Sequence, residues 1–129
     1  MRQDERAPFQ AALQRARAAA YPTDEFVGQE SFMRASEIRR LAGRARVDHE
    51  VSVLDVCCGI AGPGRLITAE FGCRYLGVDY SPSTVEIARD LAGDLPCRFV
   101  EASVPPLPDG HFEVVFVLET VLAFQDKRT

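Results

Sequence analysis

Residues 51–65 read Val-Ser-Val-Leu-Asp-Val-Cys-Cys-Gly-Ile-Ala-Gly-Pro-Gly-Arg. The first six are mainly β-branched or apolar, with polar residues before them and glycines after them, which is the pattern of a buried parallel strand. A loop with Gly59, Gly62 and Gly64 follows, and from Arg65 to Phe71 apolar residues recur at helical spacing. A strand, a glycine-rich loop and a helix in this order bring the backbone close to a nucleotide-like ligand.

The spacing of the glycines separates two kinds of nucleotide-binding loop. A dinucleotide loop reads Gly-x-Gly-x-x-Gly, whereas Gly59, Gly62 and Gly64 form Gly-x-x-Gly-x-Gly. An acid, Asp55, also stands four residues before the first glycine. The spacing therefore disfavours a dinucleotide loop. A tight strand-to-helix turn without a ligand is the alternative, because such turns are common in α/β folds.

The same stretch resembles motif I of the class I S-adenosylmethionine-dependent methyltransferases, typically Val-Leu-Asp-x-Gly-x-Gly-x-Gly. On that pattern Asp55 matches the acid and Gly59 matches the second glycine. Cys57 and Ala61 replace the first and third glycines with small residues, and Gly62 follows directly. The resemblance implies that this loop lies against the methionine part of the cofactor.

The second strand is predicted at Cys73 to Val78 and is followed by Asp79 and Tyr80. An acid at the end of the second strand of a βαβ unit can accept hydrogen bonds from ribose hydroxyls, about 20 residues beyond the glycine loop. This resembles motif II, in which Tyr80 would pack on the adenine. The alternative is that Asp79 caps the next helix. Ser81-Pro82 provides that cap instead, which frees Asp79.

A helix from Ser81 to Ala92, with Val85, Ala88, Leu91 and Ala92 on its apolar side, leads to a third strand at Cys97 to Val100. The segment from Glu101 to Gly110 resembles motif III. The resemblance implies that Glu101 accepts from the adenine amino group and that Ala102 donates its backbone N–H to the ring. A proline-rich surface turn with a solvated Glu101 is the alternative.

The fourth strand is predicted at His111 to Leu118, and Leu118 ends it at the edge where ligands bind in such sheets. Glu119 follows and is the best placed candidate general base, whereas His111 is a weaker one. No Asn-Pro-Pro-Tyr or Asp-Pro-Pro-Tyr follows the strand. Since that motif serves amino groups of bases, its absence favours a small-molecule methyl acceptor.

The first 46 residues are predicted to form an N-terminal helical cap, and residues 47–129 a truncated S-adenosylmethionine-binding domain. One helix is expected from Pro8 to Ala20, with Phe9, Leu13, Ala16 and Ala20 on one side. A second is expected from Glu30 or Ser31 to Ala42, ending at Gly43. Its apolar face would pack on the sheet and comprises Phe32, Ala35, Ile38, Leu41 and Ala42.

Composition limits the function classes. The 129 residues form one domain at most, and the net charge of −4 argues against general attraction to nucleic acid. There is no apolar stretch long enough for a membrane span and no apolar signal core at the N-terminus, so a cytoplasmic location is expected. The four cysteines form no Cys-x-x-Cys pair, which indicates buried reduced thiols and no metal site.

Together the motifs predict an α/β, Rossmann-like, doubly wound, mostly parallel sheet with N-terminal helices. The resemblance implies that its strands are the first four of the seven-stranded methyltransferase fold. The implied function is methyl transfer from S-adenosyl-L-methionine to a small molecule, or the cofactor-binding half of such an enzyme. The alternatives are a non-catalytic binding or dimerisation module and an NAD-type oxidoreductase domain. Because only four strands can be placed, a homo-oligomer joined through the exposed edge of the fourth strand is expected.

Overall fold

The structure, a computed structural model, describes residues 3–28 and 33–118. In chain order its elements are α1 (Gln3–Ala20), α2 (Ala35–Arg44), β1 (Ser52–Val56), α3 (Gly62–Phe71), β2 (Arg74–Asp79), α4 (Pro82–Ala92), β3 (Cys97–Glu101) and β4 (Val114–Phe116). The predicted α/β fold with a parallel sheet and N-terminal helices is confirmed.

All strand pairs in the described sheet are parallel, and the strand order is β3-β2-β1-β4. Val56 is the register partner of Val78, and Asp79 is the register partner of Glu101. Parallel strands end at the same edge of a sheet. The residues that follow β1, β2 and β3 are therefore neighbours in space.

The two faces of the sheet bury different sets of side chains. One face packs with α3 and α4 in a cluster that includes Val53, Tyr75, Phe99 and Phe116. The other face buries Leu54, Val56, Leu76 and Val78, partly under Ala102, Val104 and Phe112 of the segment between β3 and β4. Burial on both faces explains why β1 and β2 read as nearly continuous apolar runs.

Helix α2 differs from its prediction at both ends. Its first residue is Ala35, while the predicted starts, Glu30 and Ser31, and Phe32 of the predicted face lie outside the described residues. Gly43 lies inside the helix, and the N–H of Ala45 donates to the carbonyl of Leu41. Ala35, Ile38 and Ala42 are buried as expected. The helix packs beside α3 and joins the cluster that contains Val53.

Helix α1 begins at Gln3, five residues before the predicted Pro8. Its predicted apolar side is not buried: Phe9 is 50% exposed, and Ala16 and Ala20 are also exposed. Alanine-rich sequences form helices through intrinsic propensity, and their short side chains offer little area for packing. The predicted helix is therefore present, and of its predicted apolar side Leu13 is half-buried.

Strand β4 was predicted too long. It has three residues, Val114–Phe116, because the chain before it turns and packs Phe112 against the second face of the sheet. Helix α4 ends at Ala92 as predicted. Leu91, assigned to its apolar side, is exposed, whereas the other members of that side are buried.

All four cysteines are free thiols. Cys58 and Cys73 are buried as expected, whereas Cys57 and Cys97 are half-buried. Burial raises the pKa of Cys58, Cys73 and Cys97. Protonated buried thiols act as small apolar side chains rather than as nucleophiles.

Candidate functional site

Three carboxylates predicted to bind the cofactor stand at or next to the C-terminal ends of neighbouring strands. Asp55 is in β1, Asp79 is the last residue of β2, and Glu101 is the last residue of β3. Asp79 and Glu101 lie directly opposite each other in the register. The fold therefore brings the acids of all three motifs to one edge of the sheet.

The loop between β1 and α3 has left-handed backbone at alternate positions. The φ angles are +57° at Cys57, +59° at Gly59 and +63° at Ala61. These are the three positions that motif I fills with glycine, and a residue with a Cβ costs about 1–2 kcal/mol there. The loop therefore keeps a glycine-type backbone at the two positions where the sequence departs from the motif.

Asp79 connects this loop to the start of α4. Its Oδ2 accepts a hydrogen bond from the Gly59 N–H at 3.1 Å, and its Oδ1 accepts one from the Ser81 N–H at 3.1 Å. Ser81 caps α4, because its Oγ accepts from the Thr84 N–H at 3.4 Å. The expectation that Asp79 is not the helix cap is confirmed. The expectation that its carboxylate is left free is wrong, although a carboxylate with about four acceptor positions retains room for further donors.

Asp55 is only 5% exposed, and its Oδ2 accepts a hydrogen bond from the hydroxyl of Tyr75. Burial, and after it the Asp55 carboxylate, raise the pKa of Tyr75 well above its ordinary value. The hydroxyl therefore stays protonated and remains a donor. Sequence reasoning missed Tyr75, and the available signal was a lone tyrosine within an otherwise apolar strand.

Gly64 was assigned to the loop, but it lies in the first turn of α3 directly over Tyr75. A Cβ at Gly64 would overlap Cζ and Oη of the Tyr75 ring. A glycine at this position thus allows the helix to approach the sheet closely, the role of the third glycine in dinucleotide loops.

The remaining residues predicted to bind the cofactor differ in how far they are exposed to solvent. Tyr80 is 71% exposed next to Asp79, which is compatible with a flat contact to a base. Glu101 is exposed, while Cys57 and Leu118 are half-buried. Gly62, the first residue of α3, is buried. Each of these residues lies at or beside the C-terminal edge of the strands.

The structure contradicts the roles predicted for two residues, and a third residue with a predicted role lies outside the described residues. The N–H of Ala102 donates to the backbone carbonyl of Asp79 at 2.9 Å, because strand pairing extends one residue beyond β3, so this N–H is not available to a ligand. His111 precedes β4 and lines a small cavity with Ser52 and Arg74, at the opposite edge of the sheet. It is therefore not a general base for this site. Glu119 lies outside the described residues.

Arg65 joins the loop to the segment between α1 and α2. Its Nε donates to the Ile60 carbonyl at 3.3 Å, and its Nη2 donates to the Val27 carbonyl at 3.5 Å. Burial lowers the pKa of Arg65. A mainly apolar cleft of about 580 Å³ adjoins it and is lined by Phe26, Val27, Gly28, Ile60, Gly62, Arg65, Leu66, Leu91 and Leu95. The N-terminal segment thus contacts the candidate loop through the half-buried guanidinium of Arg65.

Residues 3–28 and 33–118 contain neither a cluster of metal-ligating side chains nor a helix that could span a membrane. No three His, Cys, Asp or Glu side chains in these ranges are arranged to hold a metal ion. No helix in the same ranges has the length and apolar character needed to cross a membrane.

Comparison with known proteins identified similar sequences and folds. A family model described as a methyltransferase domain matches residues 53–129. The 2-methyl-6-phytyl-1,4-hydroquinone methyltransferase of Synechocystis is 35% identical over 79 residues, which are 59% of this chain and 25% of that protein. Phosphoethanolamine N-methyltransferase 1 of Arabidopsis thaliana is 32% identical over 58% of this chain and 16% of its own length.

The glycopeptide N-methyltransferase MtfA, solved with sinefungin, has a similar fold with a TM-score of 0.53 and 21% identity. The match covers 63% of this chain and 34% of that one. The matched part of this chain thus spans about a quarter or less of the curated relatives named above.

Proposed function

Because this chain belongs to the methyltransferase domain family, we propose that it binds S-adenosyl-L-methionine at the C-terminal edge of β1, β2 and β3. The observation that carries the proposal is the hydrogen bond from the Gly59 N–H to the Asp79 carboxylate. It joins the loop after β1 to the acid that ends β2. These are the two segments that grip the nucleoside in Rossmann-like folds. The residues proposed to bind the cofactor are Asp55, Cys57, Gly59, Ala61, Gly62, Asp79, Tyr80, Glu101 and Leu118.

The proposed reaction is transfer of the cofactor's methyl group to a small-molecule acceptor. When bound, the cofactor supplies an electrophilic methyl group on a sulfonium centre. The chain's own residues would act by positioning, which is the larger part of catalysis in a bimolecular displacement. Asp79 would hold the ribose hydroxyls through its remaining acceptor positions, and Tyr80 would cover one face of the adenine.

A small-molecule acceptor is supported by the relatives, whose names specify a phytyl hydroquinone and phosphoethanolamine. The net charge of −4 gives no general attraction to nucleic acid.

We also propose that residues 1–46 cap the site. The hydrogen bond from the Arg65 guanidinium to the Val27 carbonyl supports this proposal. A cytoplasmic location is part of the same proposal, and cell fractionation tests it.

Isothermal titration calorimetry with S-adenosylmethionine, S-adenosylhomocysteine and NADH tests the cofactor. We expect both sulfur nucleosides to bind and NADH not to bind. Binding of NADH alone would favour the dinucleotide alternative. Binding without turnover of any offered acceptor would favour a cofactor-binding part that needs the rest of a longer enzyme, since this chain matches only 25% of the hydroquinone methyltransferase.

Replacing Asp79 with alanine is expected to weaken S-adenosylhomocysteine binding by about 1.5–3 kcal/mol, the range for hydrogen bonds to a charged group. The change removes the proposed acceptor for the ribose and also releases the N–H groups of Gly59 and Ser81. Calorimetry at constant pH measures the loss. Asp90→Ala, which removes an exposed acid of α4, is the matched control and should bind normally. Wild-type affinity in Asp79→Ala would contradict the assignment.

We further propose that two copies of the chain pair through β4. Among the described residues no strand pairs with its outer edge, and the exposed fractions of Val115 and Val117 are 49% and 40%. An apolar edge strand can pair with another chain. Light scattering should therefore report twice the mass of one chain. Val115→Lys, which places a charge on this edge, should give the mass of a single chain, and a monomeric wild-type protein would refute the proposal.

A further inference from the structure

Tyr75 places a hydroxyl in the buried interior beside β2. It is 1% exposed, and its ring packs edge-on against Phe99 with centroids 5.9 Å apart. A buried hydroxyl without a partner costs stability, so a buried tyrosine is retained where its hydroxyl has an acceptor. Here the acceptor is the carboxylate of Asp55.

The pair is held from three elements at once. Asp55 comes from β1, Tyr75 from β2, and Gly64 in the first turn of α3 leaves room for the ring. The carboxylate lies two residues before Cys57, where the loop begins. A fixed Asp55 therefore fixes the start of the loop.

The pair also controls the charge at the base of the loop. Because Asp55 is 5% exposed, its ionised form needs a donor to replace water. Tyr75 remains protonated, as its raised pKa requires, and supplies that donor. Among the described residues, the titratable groups that act on this pair include Cys58, Cys97 and Arg65, and Arg65 contributes a positive charge.

We propose that Tyr75 is a positioning residue for cofactor binding: its hydroxyl holds the Asp55 carboxylate ionised and in one orientation, and thereby sets the start of the loop. The inference rests on the proposed function. Tyr75 itself lies beneath the loop and would not touch the cofactor.

The test is Tyr75→Phe, which removes the hydroxyl and keeps the ring. Calorimetry with S-adenosylhomocysteine at pH 7 should show about tenfold weaker binding, the size of one hydrogen bond. A buried carboxylate that has lost one of its hydrogen-bond donors is protonated more easily. Binding by Tyr75→Phe should therefore fail at a higher pH than wild-type binding as the pH is lowered. Ser52→Ala, which removes a hydroxyl that accepts from Arg74 Nε at the opposite edge of the sheet, is the control and should leave binding unchanged.

A double-mutant cycle with Asp55→Leu, which removes both oxygens that could accept the Tyr75 hydroxyl, distinguishes positioning from general packing. If Tyr75 acts through Asp55, adding Tyr75→Phe to Asp55→Leu should weaken binding no further. The double variant replaces both partners with apolar side chains, so it also provides a measurement if Tyr75→Phe alone does not fold. If Tyr75→Phe weakens binding equally in the wild-type protein and in the Asp55 variant, or if its pH profile is unchanged, this inference is overturned while the proposed function stands. A wild-type chain that binds no S-adenosylhomocysteine would overturn the proposed function, and the inference with it.

Discussion

Gly64→Ala is expected to lower the free energy of unfolding by about 3 kcal/mol, toward the upper end for overpacking a core. The added Cβ would overlap the ring and hydroxyl of Tyr75, which lies between α3 and the sheet. The ring cannot move aside easily, because Phe99 packs against it and Asp55 holds its hydroxyl. Urea denaturation followed by circular dichroism measures the change.

Gly43→Ala is the matched control for this experiment. Gly43 is also a helical glycine, but no atom lies within 4 Å of the position its Cβ would occupy. Alanine there should stabilise the protein by about 0.5–1 kcal/mol, since it is the better helix former. If Gly64→Ala is as stable as Gly43→Ala, the close contact between α3 and Tyr75 does not exist as described.

Gly59→Val is expected to reduce S-adenosylhomocysteine affinity more than 100-fold, which is about 2.7 kcal/mol or more. Gly59 has a φ of +59°, a conformation that strongly disfavours a β-branched residue. The valine would shift the backbone, and the N–H of Gly59 would lose its bond to Asp79. Calorimetry measures the affinity, and circular dichroism reports whether the variant is folded.

The same backbone strain can be introduced away from the site. Gly72 ends α3 with a φ of +69°, and the nearest atom to its Cβ would be the His49 Cβ at 3.7 Å. Gly72→Val should therefore lose stability to a similar degree and still bind the cofactor. Loss of binding in both variants would indicate a general effect of destabilisation rather than a role for the loop.

The sequence was sufficient to predict the sheet and the edge where the candidate site lies. Residues 51–56 and 73–78 are mainly apolar, and this pattern is typical of buried parallel strands. The order of motifs along the chain then placed Asp55, Asp79 and Glu101 at one edge, because strand ends meet there.

The contacts within the site depended on distances that a sequence pattern does not contain. The hydrogen bond from Tyr75 to Asp55 joins residues on neighbouring strands. Neither residue, as it stands in the sequence, predicts a contact with the other. Whether the N–H of Ala102 is free depends on how far strand pairing continues, and element ends are the least reliable part of a sequence prediction. The same uncertainty explains the shorter β4 and the later start of α2.

The two hydrogen bonds that Asp79 accepts, from Gly59 and from Ser81, also affect the rates at which a ligand binds and dissociates. Gly59 and Ser81 are held by the chain's own carboxylate, so the loop has its shape before any encounter. A partner that meets a preformed loop does not have to order it, and this lowers the entropic cost of association. Differences in affinity among related ligands should then arise mainly in dissociation rates. We therefore expect Asp79, the acid proposed to hold the ribose, to influence the lifetime of the complex as well as its affinity.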